Sequence, residues 1–357
     1  MDWGEAQLAR RNGRFRLGAS TIYFASAEAL YDRWPSPMCI IVDGPYGVGG
    51  FPGDHPTHRT LADWYRPHIE TWTRCSTPQT TLWFWGTEVG WASVHPVFAQ
   101  NDWEYRACNV WDKGMSHVAG NSNTQTLRKF PVVTEVCVQY TKAARFAVDG
   151  EKVSMQQWLR HEWRRTGLPF RLANDACEVQ NAATRKYLSP DHLWYYPPPE
   201  AFEKLARYAN QHGKREGCPY FSIDHEKPIS AVEWSMLRSK FRCEFGITNV
   251  WRESQVGGSE RIQGERNGMR YKFASLHGSQ KPRKFIDLIV RVCTDEGDVV
   301  WEPFGGLCPG AIASYDLKRK YYGAEIVPEF YYAATERLAR HAQAGRLLPA
   351  ISASGSR

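Results

Sequence analysis

The chain has 357 residues, 42% of them hydrophobic and 23% charged, the composition of an ordinary globular protein with about two domains, or one large domain carrying an insertion. Its nine cysteines are scattered, odd in number and free of any Cys-x-x-Cys pair, so neither a disulfide framework nor a zinc site is indicated. The net charge of +7 favours a polyanionic partner; the N-terminus lacks the apolar core of a signal peptide, no 18-residue apolar run could span a membrane, and a reduced cytoplasm is expected.

Residues 38–42 form a continuous apolar run, Met-Cys-Ile-Ile-Val, the pattern of a parallel strand buried on both faces. It stops at Asp43-Gly44-Pro45-Tyr46-Gly47, where Gly and Pro impose a turn. A loop rich in Gly, Pro and His fills 47–60, and helical spacing follows over Leu61–Trp72. Thr80–Trp85, Ala107–Trp111 and Glu135–Tyr140 read as further strands. From about 142 the texture becomes helical. Val153–Thr166 is amphipathic and is closed by Gly167 and Pro169, two short helices fit Phe170–Val179 and Asn181–Leu188, and another fits Glu200–His212. Glu253–Gly268, with four glycines and many charges, reads as a mobile connection. The alternation then resumes. Pro282–Thr294 is helical, Asp298–Trp301 a strand, Pro303–Gly310 a Gly-rich turn, Gly310–Lys320 a helix, Tyr321–Ile326 a strand and Pro328–Gln343 a helix. The tail Ser352–Arg357 is expected to be disordered. Strands alternating with helices predict an α/β sheet. The predicted division is 1–141 and 256–345 for one discontinuous α/β domain, 142–255 for an insertion and 346–357 for a tail.

Three constellations carry chemistry. Asp43-Gly44-Pro45-Tyr46 lies at the end of a buried strand, where open α/β sheets bind their ligands. An exocyclic base amine is a weak nucleophile because its lone pair is delocalised. The Asp43 carboxylate accepts one amine N–H and the Gly44 carbonyl accepts the other, which stabilises positive charge growing on the nitrogen. Pro45 fixes the turn, and Tyr46 offers a face to an extruded base. The second constellation runs from Asp298 to Gly306: a strand enters a turn whose glycines let backbone approach a ligand, with Glu302 placed to receive a cationic amino group. Glu325, about twenty residues on, suits ribose hydroxyls. The third is His277-Gly278-Ser279-Gln280-Lys281-Pro282, ahead of a helix that Pro282 starts. Ordinary strand exits, a generic βαβ unit and a polar helix cap are the plain alternatives for these segments.

Taken together the segments resemble the DNA amino-methyltransferases. That family carries an (Asp/Asn/Ser)-Pro-Pro-(Tyr/Phe) tetrad and an Asp-Pro-Phe-x-Gly-x-Gly loop. Tetrad first, insertion second and glycine loop last is the order of its beta class. The phrase His-Pro-Thr-Gln-Lys-Pro, followed by a helix and Gly-Asp-x-Val-Leu-Asp-Pro-Phe, is matched by His277–Pro282 and Gly297–Phe304. Asn109–Lys113 resembles the family's strand ending in Trp-x-Lys, and Thr134–Val138 its later strand. The resemblance implies a seven-stranded Rossmann-like sheet, S-adenosylmethionine as methyl donor, no metal, base flipping and direct transfer. It places Asp43, Gly44, Pro45 and Tyr46 at the reacting amine, and His277, Gln280, Lys281, Glu302, Phe304, Gly306 and Glu325 around the cofactor. It also implies double-stranded DNA as partner, a homodimer, and a bacterial or phage-type cytoplasmic setting. This chain departs from the pattern: Gly44 stands for the tetrad's first Pro, Glu302 for Asp, Cys308 for the loop's second Gly, and the Gly-Asp that usually precedes the first helix is absent near Phe24-Ala25-Ser26.

The insertion sits where the family keeps its target-recognition domain. Arg160, Arg164, Arg165 and Arg171, then Asn181, Thr184, Arg185 and Lys186, are residue types that contact phosphates and base edges. Their placement on short helices suits a helix-turn-helix, with a helical bundle bearing a solvated basic face as the plain alternative. Asp at the head of the tetrad favours adenine N6, cytosine N4 is the runner-up, and a non-catalytic DNA-binding protein on a degenerate methyltransferase scaffold is the reading of a different class.

Overall fold

A computed structural model describes residues 13–49, 53–118, 126–214, 217–266 and 269–347. In chain order the first part comprises β1 (Arg14–Leu17), β2 (Ser20–Phe24), β3 (Cys39–Val42), α1 (Leu61–Cys75), β4 (Thr81–Gly86), α2 (Glu88–Gln100), β5 (Trp103–Asp112) and β6 (Thr134–Lys142). The second comprises the hairpin β7 (Arg145–Val148) and β8 (Glu151–Ser154), then α3 (Met155–Arg165), α4 (Leu172–Ala176), α5 (Pro199–His212) and α6 (Ala231–Ser235). The last comprises β9 (Val250–Arg252), β10 (Gln263–Arg266), β11 (Met269–Ser275), α7 (Arg283–Cys293), β12 (Val299–Glu302), α8 (Pro309–Asp316), β13 (Lys320–Glu325) and α9 (Pro328–Leu347). The predicted tail lies outside the described residues from 348 onward.

The chain forms two compact units, Ala143–Ser239 and everything on either side of it. The larger unit is an α/β sheet in the order β1-β2-β13-β12-β3-β4-β6-β5-β9. Seven of these strands, β2 through β5 in that order, make the Rossmann-like sheet, while β1 and β9 extend its two edges. β2, β13, β12, β3 and β4 run parallel, and β6 is antiparallel to both its neighbours.

Burial on both faces explains the apolar runs. Cys39 and Ile41 of β3, with Trp83 and Trp85 of β4, pack on one face against Phe285, Ile286 and Ile289 of α7. Ile40, Val42, Leu82 and Phe84 pack on the other against Leu61, Tyr65, Ile69 and Trp72 of α1. The tryptophan content therefore goes mainly into core: Trp72, Trp85, Trp111, Trp163, Trp234 and Trp301 are fully buried.

Several expectations are corrected. Residues 250–252 were placed in the insertion, but they form β9, which pairs in parallel with β5 while Trp251 packs on Trp85 and Phe285. The stretch expected to be a mobile connection contains β10, hydrogen-bonded to β11. In the smaller unit, the helix-turn-helix is not formed: α4 is five residues long, and Ala183–Tyr187 is a single π-helical turn. There the Leu188 N–H reaches back five residues to Ala183, and Asn174 holds Thr184 by its main-chain N–H at 3.1 Å. Among the described residues no helix is long and apolar enough to cross a membrane.

Trp301 locks the centre of the sheet. Its ring stacks on Tyr31 at 5.7 Å, meets Trp34 edge-on at 5.2 Å, and its Nε1–H donates to the Pro35 carbonyl at 2.9 Å. Trp301→Ala is expected to destabilise the fold by about 3–5 kcal/mol, read as a lower urea midpoint.

Candidate functional site

β3 and β12 are hydrogen-bonded neighbours, with Val300 opposite Cys39 and Trp301 opposite Ile40. Their following turns, Asp43–Tyr46 and Pro303–Gly306, therefore leave the same end of the sheet side by side. Both turns line one cavity of about 360 Å³, a size suited to a small organic ligand. Glu325, at the end of β13, and the segment His277–Lys281 complete its walls. Ten of the eleven residues that the sequence marks for amine and cofactor are in this lining, and Glu302 is the exception.

The Asp43 carboxylate is held on one side. Its Oδ1 lies 2.9 Å from Lys281 Nζ and accepts the Tyr46 hydroxyl at 2.9 Å. Among the described residues no hydrogen bond reaches Oδ2. The Tyr46 hydroxyl also lies 3.1 Å from Glu135 Oε2. Burial, then the nearby Asp43 and Glu135 carboxylates, raise the Tyr46 hydroxyl well above its usual pKa, so the phenol stays protonated. The Lys281 side chain is fully buried. Burial pushes its pKa down, but Asp43 and Glu135 outweigh it and hold the ammonium above the ordinary lysine range.

The loop after the tetrad is pinned by a residue that the sequence reading missed. Asp54 Oδ1 accepts the main-chain N–H of Tyr46 at 2.6 Å and of Gly47 at 3.1 Å, while Oδ2 accepts Val48 at 3.2 Å and Gly49 at 2.8 Å. Trp64 and His68 from α1 were also missed, and both line the cavity beside Phe304, at ring separations of 5.5 and 5.2 Å. Burial lowers the His68 pKa to about 4, so its imidazole is neutral at physiological pH. The signal for His68 was the inward spacing Leu61, Tyr65, His68, Ile69, Trp72, which reads as core until the cavity is seen beneath it.

Gly44 has a specific packing reason. A Cβ there would lie 2.5 Å from both Phe304 Cδ2 and the Tyr65 hydroxyl. That hydroxyl donates to the Pro45 carbonyl at 3.0 Å and ties the turn to α1. Phe304 and Tyr65 thus fill the space that a bulkier residue at 44 would require.

On the glycine turn, the Gly306 N–H donates to Glu325 Oε2 at 2.6 Å, and the Val327 N–H to Oε1 at 2.7 Å. Burial raises the Glu325 pKa, against the pull of these N–H groups. Gly306 is left-handed, at φ 52, and the His277 ring lies over it, 3.3 Å from where a Cβ would stand. His277 also meets Phe330 edge-on at 4.7 Å, and burial lowers its pKa. Gln280 faces the cavity, but its amide is committed to main chain, donating to the Glu260 carbonyl at 2.8 Å and accepting the Ile262 N–H at 3.2 Å.

Glu302 corrects an expectation. Its carboxyl does not face the cavity. It lies beneath α8, accepting the Gly310 N–H at 3.1 Å and the Tyr321 hydroxyl at 2.5 Å. Burial pushes its pKa up to about 8. Cys308 adopts a left-handed φ of 46 at the N-cap of α8, the conformation that glycine supplies without strain.

In the smaller unit Arg164, Arg171, Asn181, Arg185 and Lys186 are exposed, and Arg160 and Thr184 are half-buried. The Arg160 guanidinium donates to the Leu188 carbonyl and lies 4.9 Å from the Phe170 ring centre. Arg160 and Arg164 share a second cavity with Ser154, Gln156, Gln157 and Pro190.

Two predictions follow from this geometry. Gly44→Ala is expected to destabilise by about 1–3 kcal/mol through overpacking, and Phe304→Leu in the same chain should recover part of that loss in chemical denaturation. Glu302 takes up a proton on folding, because its pKa rises from 4.5 to about 8. Its contribution to stability is therefore complete below pH 4.5 and is lost as pH rises through 8. Glu302→Gln keeps an acceptor for Tyr321 and Gly310, and its stability should fall less over that interval than that of the wild type.

The family model for DNA methylases of the N6/N4 type matches residues 38–336. The Type II methyltransferase M2.MboI of Moraxella bovis is 29% identical over 121 residues, 32% of this chain and 40% of that protein. The Type II methyltransferase M.XycI of Xanthomonas campestris pv. cyanopsidis is 28% identical over 114 residues, 32% of this chain and 38% of that protein. The matched stretch thus spans about two-fifths of these relatives' length. A solved structure of the M1.HpyAVI–SAM complex aligns with 89% of this chain and 98% of its own, at 14% identity and a TM-score of 0.45. The family match runs unbroken from the tetrad strand through the glycine turn to the helix after Glu325, and on that match the chain belongs to the N6/N4 DNA methylase family.

Proposed function

We propose that the protein is a sequence-specific DNA methyltransferase that moves a methyl group from S-adenosylmethionine to the N6 amine of an extruded adenine. One observation carries the reading: the open oxygen of Asp43 and the glycine turn at Phe304–Gly306 border the same 360 Å³ cavity. A donor and an acceptor held in one cavity react without a diffusive step.

The residues present fit the cofactor. Gly306 offers close backbone approach, Glu325 offers a carboxylate to ribose hydroxyls, and Phe304, Trp64 and Phe330 supply apolar wall. When bound, S-adenosylmethionine supplies an electrophilic methyl on a sulfonium centre. Glu302 takes no part in holding it, because its carboxyl is spent on Gly310 and Tyr321. Asp43 Oδ2 and the Gly44 carbonyl accept the two amine N–H bonds, drawing the lone pair out of the ring and stabilising charge that grows in transfer. Tyr46 holds the base face-on, its hydroxyl fixed to Asp43. The smaller unit reads the DNA, with Arg164, Arg171, Arg185 and Lys186 on phosphates and Asn181, Thr184 and Arg160 toward base edges.

Asp at the head of the tetrad supports adenine over cytosine. Incubating mixed-sequence DNA with labelled cofactor, digesting it and separating the nucleosides should yield N6-methyladenine; N4-methylcytosine as the sole product would reject the choice of base. Asp43→Ala should lose at least roughly 100-fold in transfer rate while calorimetry still shows cofactor binding. A wild type that binds DNA but stays silent toward the cofactor would instead support a binding protein on this scaffold.

A further inference from the structure

Behind Asp43 lies a chain of alternating charges drawn from four separate segments. Lys113 Nζ, just past the end of β5, is 2.5 Å from Glu135 Oε1 on β6. Glu135 Oε2 is 3.4 Å from Lys281 Nζ, which in turn meets Asp43. Side-chain exposure is 7% at Lys113, 11% at Glu135, 0% at Lys281 and 18% at Asp43; Lys281 and Asp43 are in the cavity lining, and Lys113 and Glu135 stand behind them. Aromatic rings enclose the chain: the Lys113 ammonium lies 4.9 Å from the Trp111 ring centre, and that of Lys281 lies 5.1 Å from Tyr46 and 5.4 Å from Trp85.

Burying four charges is an inefficient route to stability, since well-packed apolar side chains of equal volume do as well or better. Its distinctive property is directional. Lys281 has a competing acceptor in the Ser279 carbonyl at 2.8 Å, so Asp43 alone does not fix where the ammonium points. Glu135 supplies the second fixed anion. Lys113 neutralises Glu135 from behind, and the two lysines together hold the Glu135 carboxyl below its usual pKa against the opposing effect of burial. Glu135 also lies within hydrogen-bond distance of the Tyr46 hydroxyl, so one carboxylate orients both groups that occupy Asp43 Oδ1.

We propose that Glu135 and Lys113 are positioning residues: they hold Lys281 and Tyr46 on one oxygen of Asp43, so that the other oxygen alone is presented to the amine. The inference rests on the function proposed above. It requires that loss of the pair slow transfer without weakening cofactor binding, and that the loss persist when charge balance is restored.

The test compares wild type, Lys113→Met, Glu135→Gln and the double variant Lys113→Met/Glu135→Gln. Each single change strands a buried charge and should lower the unfolding midpoint. The double variant is again charge-balanced and should recover most of that midpoint. Its single-turnover rate should nevertheless stay roughly 10- to 100-fold below wild type, with cofactor affinity within about two-fold. Recovery of rate together with midpoint would overturn the proposal, because the pair would then serve stability alone. A second readout does not depend on activity. In lysine-labelled protein, the Lys281 ammonium resonance, identified by its loss in Lys281→Met, should be sharp in wild type and broadened in the double variant. An unchanged resonance would overturn the proposal whatever the rates. Absence of methyl transfer by wild type would count against the proposed function, while the resonance would still decide whether Glu135 and Lys113 fix the ammonium.

Discussion

The parallel pairing of β3 with β12 is the interaction on which the site depends. Two short strands about 260 positions apart lie in parallel register, with Cys39 opposite Val300 and Ile40 opposite Trp301. Every feature of the cavity follows from that register, because each strand ends in its turn at the same level of the sheet. Cys39, Ile40, Ile41, Val300 and Trp301 are at zero exposure, so a slip of one residue would turn each side chain to the wrong core. Closure of so long a loop costs little more than closure of a short one, since the entropy grows only with the logarithm of length. The chain can therefore place an independent unit, Ala143–Ser239, between the halves without loosening the pair.

The central strands were legible because burial on both faces leaves a continuous apolar run, as in Cys39–Val42. Helix α7 was legible because Phe285, Ile286, Ile289, Val290 and Cys293 recur at helical spacing. The edges of the sheet were not. β9 is three residues in a polar stretch, and its state is decided by β5 beside it and by Trp85 and Phe285 against its Trp251 ring, none of which is local in sequence. The basic composition of Ala183–Tyr187 suggested a recognition helix, but the segment is a single π-helical turn closed by the Leu188 N–H on the Ala183 carbonyl and held by Asn174.

Site membership was more legible than site orientation. The glycine turn was found by composition, and its neighbours fell into the cavity with it. Glu302 did not, because the last residue of a strand alternates to a face that only the packed sheet defines. There its carboxyl meets Tyr321 and the start of α8. Lys281 lines the cavity as expected, yet its ammonium is directed at Asp43 rather than at open space. Glu135 and Lys113 fell in segments that resemble the family's strands, but nothing in those segments tells that their side chains pair with each other and with Lys281, because the partners are 22 and more positions apart.

The three substitutions in the tetrad and the glycine turn are best weighed by what surrounds each. A glycine in place of proline at 44 would loosen the turn if it stood alone, but Phe304 and Tyr65 occupy the vacated space, and the Tyr65 hydroxyl ties the Pro45 carbonyl in place. A glutamate in place of aspartate at 302 is one methylene longer, and that length is used: its carboxyl reaches both Tyr321 and the Gly310 N–H. The cysteine at 308 takes on the left-handed backbone usually left to glycine, and it is nearly fully buried against the core beneath the turn. Gly44 and Glu302 thus have partners that match their size and hydrogen-bonding capacity, and Cys308 packs into a closed core, so each of the three is accommodated by what surrounds it.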